Sequence, residues 1–480
     1  MIYPNESEYA ALAGDYDLIP VYKEVLADTE TPVSVLERFA DRENVFLLES
    51  MEGGETWGRY SFVGVDSELI LEVDHCGGPT GKLEEIRKVY RDLRVAEVDG
   101  LPRFFGGAVG FVGYEAVGEF ERMPPPGAAG TGVFPRSRFV KADRIIVFDN
   151  LRHTVKIVVC TRPGADNAGE AYRRAVADIE GIEATIGSAS PASDGNTYPA
   201  AEFESNMTRE QYMEIVEKAK KYIYDGDVIQ VVLSQRFSTR TAIPPVQLYR
   251  ALRFLNPSPY TFFLKVGDQT LVGSSPEVMV RLMGDRVELR PIAGTRKRGT
   301  TEEDDRELAE ELLANEKEKA EHVMLVDLGR NDIGRIAESG SVEVTEYMVI
   351  ERYSHVMHMV SHVVGQLRPE FDAYDVIKAT FPAGTLSGAP KIRAMEIIHE
   401  LEPGPRGAYG GAVGYISYCG NMDLAITIRT LEIGDGVVSV QAGAGIVYDS
   451  DPAFEFQETC LKARGMQKAV EMAARGLAVE

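Results

Sequence analysis

YTFFLKVGDQTLVGSSPEVMVRLMGDRVELRPIAG, residues 260–294, is the stretch whose reading decides the fold class. Apolar runs of strand length alternate with Gly-Asp pairs at 267–268 and 284–285. Such pairs close tight antiparallel hairpins, because glycine supplies the positive φ that the turn needs. The stretch therefore predicts three or four consecutive strands. AVGYISY (412–418), MDLAITIRTLEI (422–433) and VVSVQAGAGIVY (437–448) repeat the pattern, and an Asp-Gly turn at 435–436 joins the last two.

Working outward, helical periodicity brackets these runs. TREQYMEIVEKAKKYIYDGD (208–227) has Thr208 as a cap and Gly226 as a stop. LYRALRFLN (248–256), AYDVIKATF (373–381) and KIRAMEIIHELE (391–402) read as helices, and residues 300–328 read as one helix or two. VIQVVLSQRF (228–237) reads as a buried strand and residues 342–367 as strand-rich. In the first half, residues 31–40 predict a helix, residues 43–50, 59–65 and 68–73 strands, residues 83–93 an amphipathic helix, and residues 144–159 a hairpin turning at Asp149-Asn150. A helix over 164–186 leads into a connector rich in Ser, Pro, Gly and Ala. The chain divides into residues 1–162, a helix and flexible connector at 163–206, and residues 207–480. Runs of strands bracketed by helices, without regular βαβ alternation, predict an α+β fold.

Composition narrows the function classes. With 480 residues, 44% hydrophobic and 26% charged, the chain has the make-up of a globular protein with a large core. A net charge of −24 argues against nucleic acid or an anionic membrane as the main partner. The four cysteines form neither a CxxC pair nor a zinc spacing, and the N-terminus shows no signal-peptide pattern. Both features fit a cytoplasmic location.

Two acid pairs stand out. Glu318 and Glu321 lie three apart in NEKEKAEHVMLVDLGRND (315–332), and Glu455 and Glu458 repeat the spacing in FEFQETCLKARG (454–465). That spacing puts both members of a pair on one helix face. Read alone, each pair suits a solvated helix surface. Two such helices meeting across a cleft would instead need a positive centre, and a hard oxygen-loving cation such as Mg²⁺ is the simplest. PIAGTRKRG (291–299), FPAGTLSGAPK (381–391), GAYGGAVGY (407–415) and QAGAGIVYDSDP (441–452) read as glycine-rich loops that let backbone approach a ligand.

Taken in order, SPE (275–277), RPIAGTRKRG, NEKEKAEHVMLVDLGRND, YSHVMHMVS (353–361), FPAGTLSGAPK, GAYGGAVGY, IRT, QAGAGIV and FEFQET resemble the chorismate-utilising enzymes, most closely the anthranilate synthase large subunits. The first half resembles them too, through residues 17–39 and FLLES…GRYSFVG. The resemblance implies large mixed or antiparallel sheets packed face to face with helices outside. It implies a regulatory first part and a chorismate-binding part from residue 207. Glu321 and Glu458 would be the main Mg²⁺ ligands, with Glu318 and Glu455 bound directly or through water. Tyr409 and Arg429 would bind the substrate's carboxylates, the amides of Gly443, Ala444 and Gly445 would cradle the ring-side anion, Gly294 and Thr295 would line the same pocket, and Lys462 would add positive charge. His358 would act as general acid while His355 and His362 stay structural. Thr385 would touch substrate, and Glu318 would take the proton in the second step.

The same resemblance bears on the nucleophile. Water-adding relatives carry a Lys where this chain has Gln230, and aminodeoxychorismate synthases carry a nucleophilic Lys where it has Ala293. Both absences point to direct attack by ammonia, giving anthranilate and pyruvate as the first committed step of tryptophan biosynthesis. No glutaminase elbow occurs in the sequence, so the implied partner is a glutamine amidotransferase subunit delivering ammonia by a channel, in a heterotetramer of two large and two small subunits. Ser50, Pro259 and Tyr260 match a tryptophan feedback pocket, while Thr261 stands where a Met is expected. The alternatives are an aminodeoxychorismate synthase and a non-catalytic tryptophan-binding partner of a glutaminase.

Overall fold

The computed structural model describes residues 1–26, 29–50, 58–76, 82–125, 134–165, 167–189, 196–353 and 356–478. Two antiparallel sheets dominate it. The first has 13 strands, in the order Ile2–Tyr3, Ile19–Leu26, Thr154–Thr161, Arg144–Asp149, Tyr60–Gly64, Asn44–Glu49, Tyr260–Val266, Gln269–Ser275, Thr430–Gly434, Val437–Ile446, Gln230–Arg240 and Glu204–Ser205, with Gly388–Ala389 also paired to Gln230–Arg240. The second has 10 strands, in the order Ile292–Lys297, Val356–Gln366, Arg286–Leu289, Val278–Met283, Met422–Ile426, Ala412–Ser417, Gly107–Val112, Arg136–Ala142 and Glu68–Asp74, with Glu343–Arg352 paired to Val356–Gln366. Both sheets take strands from before and after the 163–206 segment.

The strands read as apolar runs because both faces of each sheet are buried. Phe46, Phe262 and Leu264 of the first sheet meet Val109, Phe111, Val413 and Ala425 of the second in the core between the sheets. The alternate residues Val45, Leu47 and Phe263 point the other way, against Leu36 and Ile179 and against Leu252 and Met466 of the covering helices. Ala108 and Val112 do the same on the far side of the second sheet, where Val326, Ile333 and Ile377 cover it. This is the α+β sandwich with helices outside that was expected.

Three local readings change, and the open choice between one helix and two over 300–328 is settled as two. Residues 260–294 form five strands, the fifth being Ile292–Lys297, whose register against Val356–Gln366 shifts at Gly294. Residues 83–93 form only a 3₁₀ segment, Leu83–Val89; three residues per turn put the buried Leu83 and Ile86 on one side. Residues 300–328 split at Asn315, which ends Glu302–Ala314 and caps Glu316–Gly334. MDLAITIRTLEI is not one strand: Met422–Ile426 belongs to the second sheet and Thr430–Gly434 to the first. The chain crosses between sheets at Thr427–Arg429, and Arg429 takes a positive φ of 49° there.

Candidate active site

Both acid-bearing helices are fixed by their N-terminal caps. The Asn315 side chain accepts the amides of Lys317 and Glu318 at 3.1 Å each, and Asp451 accepts that of Phe454 at 2.8 Å. Helix Glu316–Gly334 buries His322, Leu325 and Val326 against the second sheet, and helix Pro452–Ala474 buries Thr459, Ala463 and Met466 against the first. Glu455 is itself buried, one turn before Thr459, and Glu318 and Glu321 stand one turn before the buried His322 and Leu325, while Glu458 is half-exposed. The two pairs sense each other's helix: Glu321 lies in the field of Lys462, and Glu455 in that of Lys317. Burial raises the Glu321 carboxyl above its ordinary range, a Gln230 hydrogen bond opposes that, and Glu318 adds repulsion. Burial likewise raises Glu455, with Ser450 opposing and Glu458 adding.

Each carboxylate rests on a nearby donor. Gln230 Nε2 donates to Glu321 at 3.4 Å, Arg296 stands 3.4 Å from Glu318, and Lys462 Nζ stands 2.7 Å from Glu458. As placed, no group of three His, Cys, Asp or Glu side chains among the described residues is set to hold a metal ion. The donor set still fits one. Oxygen-only ligands from two capped helices, with two carboxyls raised by burial and mutual repulsion, suit a hard divalent cation.

The other expected residues gather around these acids. Thr295 and His358 are paired across the Ile292–Lys297 and Val356–Gln366 strands. His358 Nδ1 lies 3.0 Å from Thr295 Oγ1 and 3.1 Å from the Gly294 carbonyl. A carbonyl only accepts, so Nδ1 carries the hydrogen and proton exchange falls to Nε2. Gly294 is required by closeness as well as by its φ of 64°: a Cβ there would stand 3.0 Å from Glu318 Oε2. His362 lies 3.6 Å from Glu288, and His355 falls outside the described residues.

QAGAGIV is not a loop. Gly443, Ala444 and Gly445 sit inside strand Val437–Ile446, opposite Ser234, Leu233 and Val232. Successive strand amides point to opposite edges, so Ala444 cannot share an anion cradle with its two neighbours. The Gly443 amide donates to the Tyr409 hydroxyl, and the Gly443 carbonyl accepts from Lys462 at 2.9 Å. The glycines here are spacers: a Cβ on Gly443 would come 2.7 Å from the Tyr409 hydroxyl, and one on Gly445 2.4 Å from Gln230 Nε2. PIAGTRKRG is likewise mostly strand, whereas FPAGTLSGAPK holds a short helix, Gly384–Ser387, and residues 407–411 form a turn.

One residue went without a role in the sequence reading. Glu277, in SPE, is half-buried, and desolvation pushes its carboxyl up to about 7 against the pull of Thr385, Arg429 and Lys462. A carboxyl that titrates near neutrality among two cations of the site is suited to move a proton. Its sequence signal was an acid ending a strand run, the last residue before Val278–Met283. Thr385, in the short helix Gly384–Ser387, and Arg429, at the crossover, are thereby tied to the same point.

Ser50, Pro259, Tyr260 and Thr261 line a separate cavity of about 660 Å³, with Glu49, Arg59, Arg281, Tyr415 and Asp423. Glu49 is held by Arg253 at 2.8 Å and by the Tyr249 hydroxyl.

Comparison with known proteins identifies the family. The "chorismate binding enzyme" family matches residues 43–468. Anthranilate synthase component 1 of Pseudomonas putida is 47% identical over 98% of this chain and 99% of its own length. That of Aquifex aeolicus is 47% identical over 97% of both. The crystal structure of anthranilate synthase component I from Streptococcus pneumoniae TIGR4 superposes with a TM-score of 0.76 at 37% identity, over 87% of this chain and 95% of that one. The chain belongs to the chorismate binding enzymes.

Proposed function

We propose that the chain is the large, chorismate-binding subunit of an anthranilate synthase. Chorismate and ammonia become anthranilate, pyruvate and water, the first committed step of tryptophan biosynthesis. The observation that carries this reading is the grouping of the two Glu pairs with Lys462 and with Gln230, a side chain that cannot serve as a base, while Glu277 lies in the field of Arg429 and of the same Lys462. Ammonia is already a nucleophile and needs no base at that position, and Ala293 offers no amine for a covalent adduct.

Mg²⁺ bound by Glu321 and Glu458, with Glu318 and Glu455 in support, would neutralise the ring carboxylate. Arg429, Tyr409 and Lys462 meet the remaining negative charge, assisted by the edge amides of Gly443 and Gly445. Gly294 and Thr295 hold His358 Nδ1, so that protonated His358 gives a proton from Nε2 to the departing ring hydroxyl. Glu277 stands ready to exchange a proton in the same pocket, beside Thr385. Loss of the ring proton at the amine-bearing carbon and of pyruvate then aromatises the ring, with Glu318 as acceptor.

The ammonia source is a glutamine amidotransferase subunit, in an assembly of two large and two small chains. The 660 Å³ cavity, lined from both halves of the chain, is the tryptophan site of feedback inhibition, and residues 1–162 are the regulatory part and 207–480 the catalytic part of this proposal. Purified chain with chorismate, Mg²⁺ and an ammonium salt should release anthranilate. Aminodeoxychorismate or unchanged chorismate from the folded protein would overturn the reading. Glu458→Ala should abolish Mg²⁺-dependent turnover in a protein that still folds; near-normal activity would refute the metal assignment.

A further inference from the structure

Arg406 is 1% exposed and lies beneath the substrate pocket rather than in it. Its guanidinium spends its donors on four separate acceptors. Nε donates to Glu402 Oε2 at 2.9 Å, and one terminal nitrogen to Glu402 Oε1 at 2.6 Å and the Val232 carbonyl at 2.8 Å. The other terminal nitrogen donates to the Leu386 carbonyl at 2.7 Å. The same group stacks between two rings, 4.5 Å from the centroid of Tyr114 and 5.6 Å from that of Tyr409. Its backbone is fixed as well, because Glu115 accepts the amides of Arg406 at 2.6 Å and Gly407 at 3.1 Å.

Each contact leads to a site residue. Leu386 follows Thr385, the hydroxyl beside Glu277. Val232 pairs with Gly445 on the strand whose Gly443 amide meets Tyr409. The stacked ring is Tyr409 itself. Only a planar fork can bond a carboxylate with two edges, reach two carbonyls and still offer a face to an aromatic ring. We propose that Arg406 is a positioning residue for chorismate: it fixes the Tyr409 ring and the Thr385 turn relative to one another. This rests on the proposed substrate site, and it assigns a binding role to an ion pair that otherwise reads as core.

Arg406→Lys keeps the charge and loses the fork. In the full chain with Mg²⁺ and ammonium, its KM for chorismate should rise at least tenfold while kcat stays within threefold. The calorimetric Kd for chorismate should rise in parallel, in a protein whose circular dichroism still shows the parental fold even if its thermal midpoint falls. Combined with Tyr409→Phe, the increases should fall well short of multiplying, since both act on one ring. A folded Arg406→Lys protein with unchanged KM, or increases that multiply in full, would overturn the proposal. Should Arg406→Lys fail to fold, Glu402→Gln frees one side of the fork, and an unchanged chorismate Kd there would overturn it equally. A parent chain that binds chorismate without forming anthranilate would refute the reaction reading, while the Kd comparison still decides the role of Arg406.

Discussion

Replacing Glu277 by Gln should make the protein both inactive and, above neutrality, more stable. Burial raises the Glu277 carboxyl from 4.5 to about 7, outweighing the pull of Thr385, Arg429 and Lys462. A group whose folded pKa is raised binds more protons folded than unfolded, so its contribution to stability falls as pH climbs between those two values. Below about pH 4.5 the carboxyl is protonated in both states and costs nothing. Above about pH 7 the fold carries it ionised, at a cost on the order of 3 kcal/mol. Gln mimics the protonated form at every pH. Urea denaturation of both proteins without metal or substrate, at steps from pH 5 to pH 8, should show the stability of Glu277→Gln relative to the parent rising by up to about 3 kcal/mol and levelling above pH 7. All other titrating groups are common to the two proteins and cancel to first order. Loss of a proton-transfer group should meanwhile lower kcat by about 10²–10⁴-fold. Parallel stability curves across that pH range would refute the raised carboxyl, and near-parental kcat would refute its use.

His358→Ala should lower ammonium-dependent kcat by about 10²-fold or more while KM for chorismate changes little, because His358 contacts Gly294 and Thr295 rather than the carboxylate-binding groups; a large KM effect with intact kcat would reassign it to binding. Tyr260→Ala and Ser50→Ala, on the wall of the 660 Å³ cavity, should weaken tryptophan inhibition with kcat unchanged. Unaltered inhibition in both would move the effector elsewhere.

How far the sequence could be read depended on the range of the forces involved. Hairpin turns and helix caps are local, so Gly267-Asp268, Gly284-Asp285, Thr208 and Asn315 were legible, and the α+β class followed. The acid pairs were legible as one-faced pairs; that Glu321 faces Lys462 of another helix is a tertiary fact. Glycine-rich stretches were misread because a glycine that makes a loop and a glycine that clears space inside a strand look alike. Gly445 is the second kind, placed where any Cβ would strike Gln230. Arg406 was legible at most as the i,i+4 partner of Glu402, since its other partners Val232 and Leu386 are backbone carbonyls elsewhere in the chain.

The misread strand MDLAITIRTLEI shows what such a failure can mean. Its large apolar residues keep to even positions as far as Ile428 and to odd ones from Leu431, and that change of phase marks where the chain leaves one sheet and enters the other. The junction is held by backbone bonds: Gly410 to Thr427 at 3.0 Å, Thr427 to Gly411 at 2.9 Å, and Ser274 to Arg429 at 3.1 Å. Nothing in that geometry calls for arginine, and the φ of 49° argues against it. A non-glycine residue there costs about 1 kcal/mol, which glycine avoids. On the proposed reading Arg429 serves through its guanidinium, which lies in the field of Glu277. Arg429→Gly should leave the protein as stable as the parent or up to about 1 kcal/mol more so, while KM for chorismate rises at least tenfold. Arg429→Lys should keep the strain and recover only part of the affinity, because an ammonium cannot grip a carboxylate with two bonds. A destabilised Arg429→Gly protein with normal KM would show that the residue serves the crossover and not the substrate.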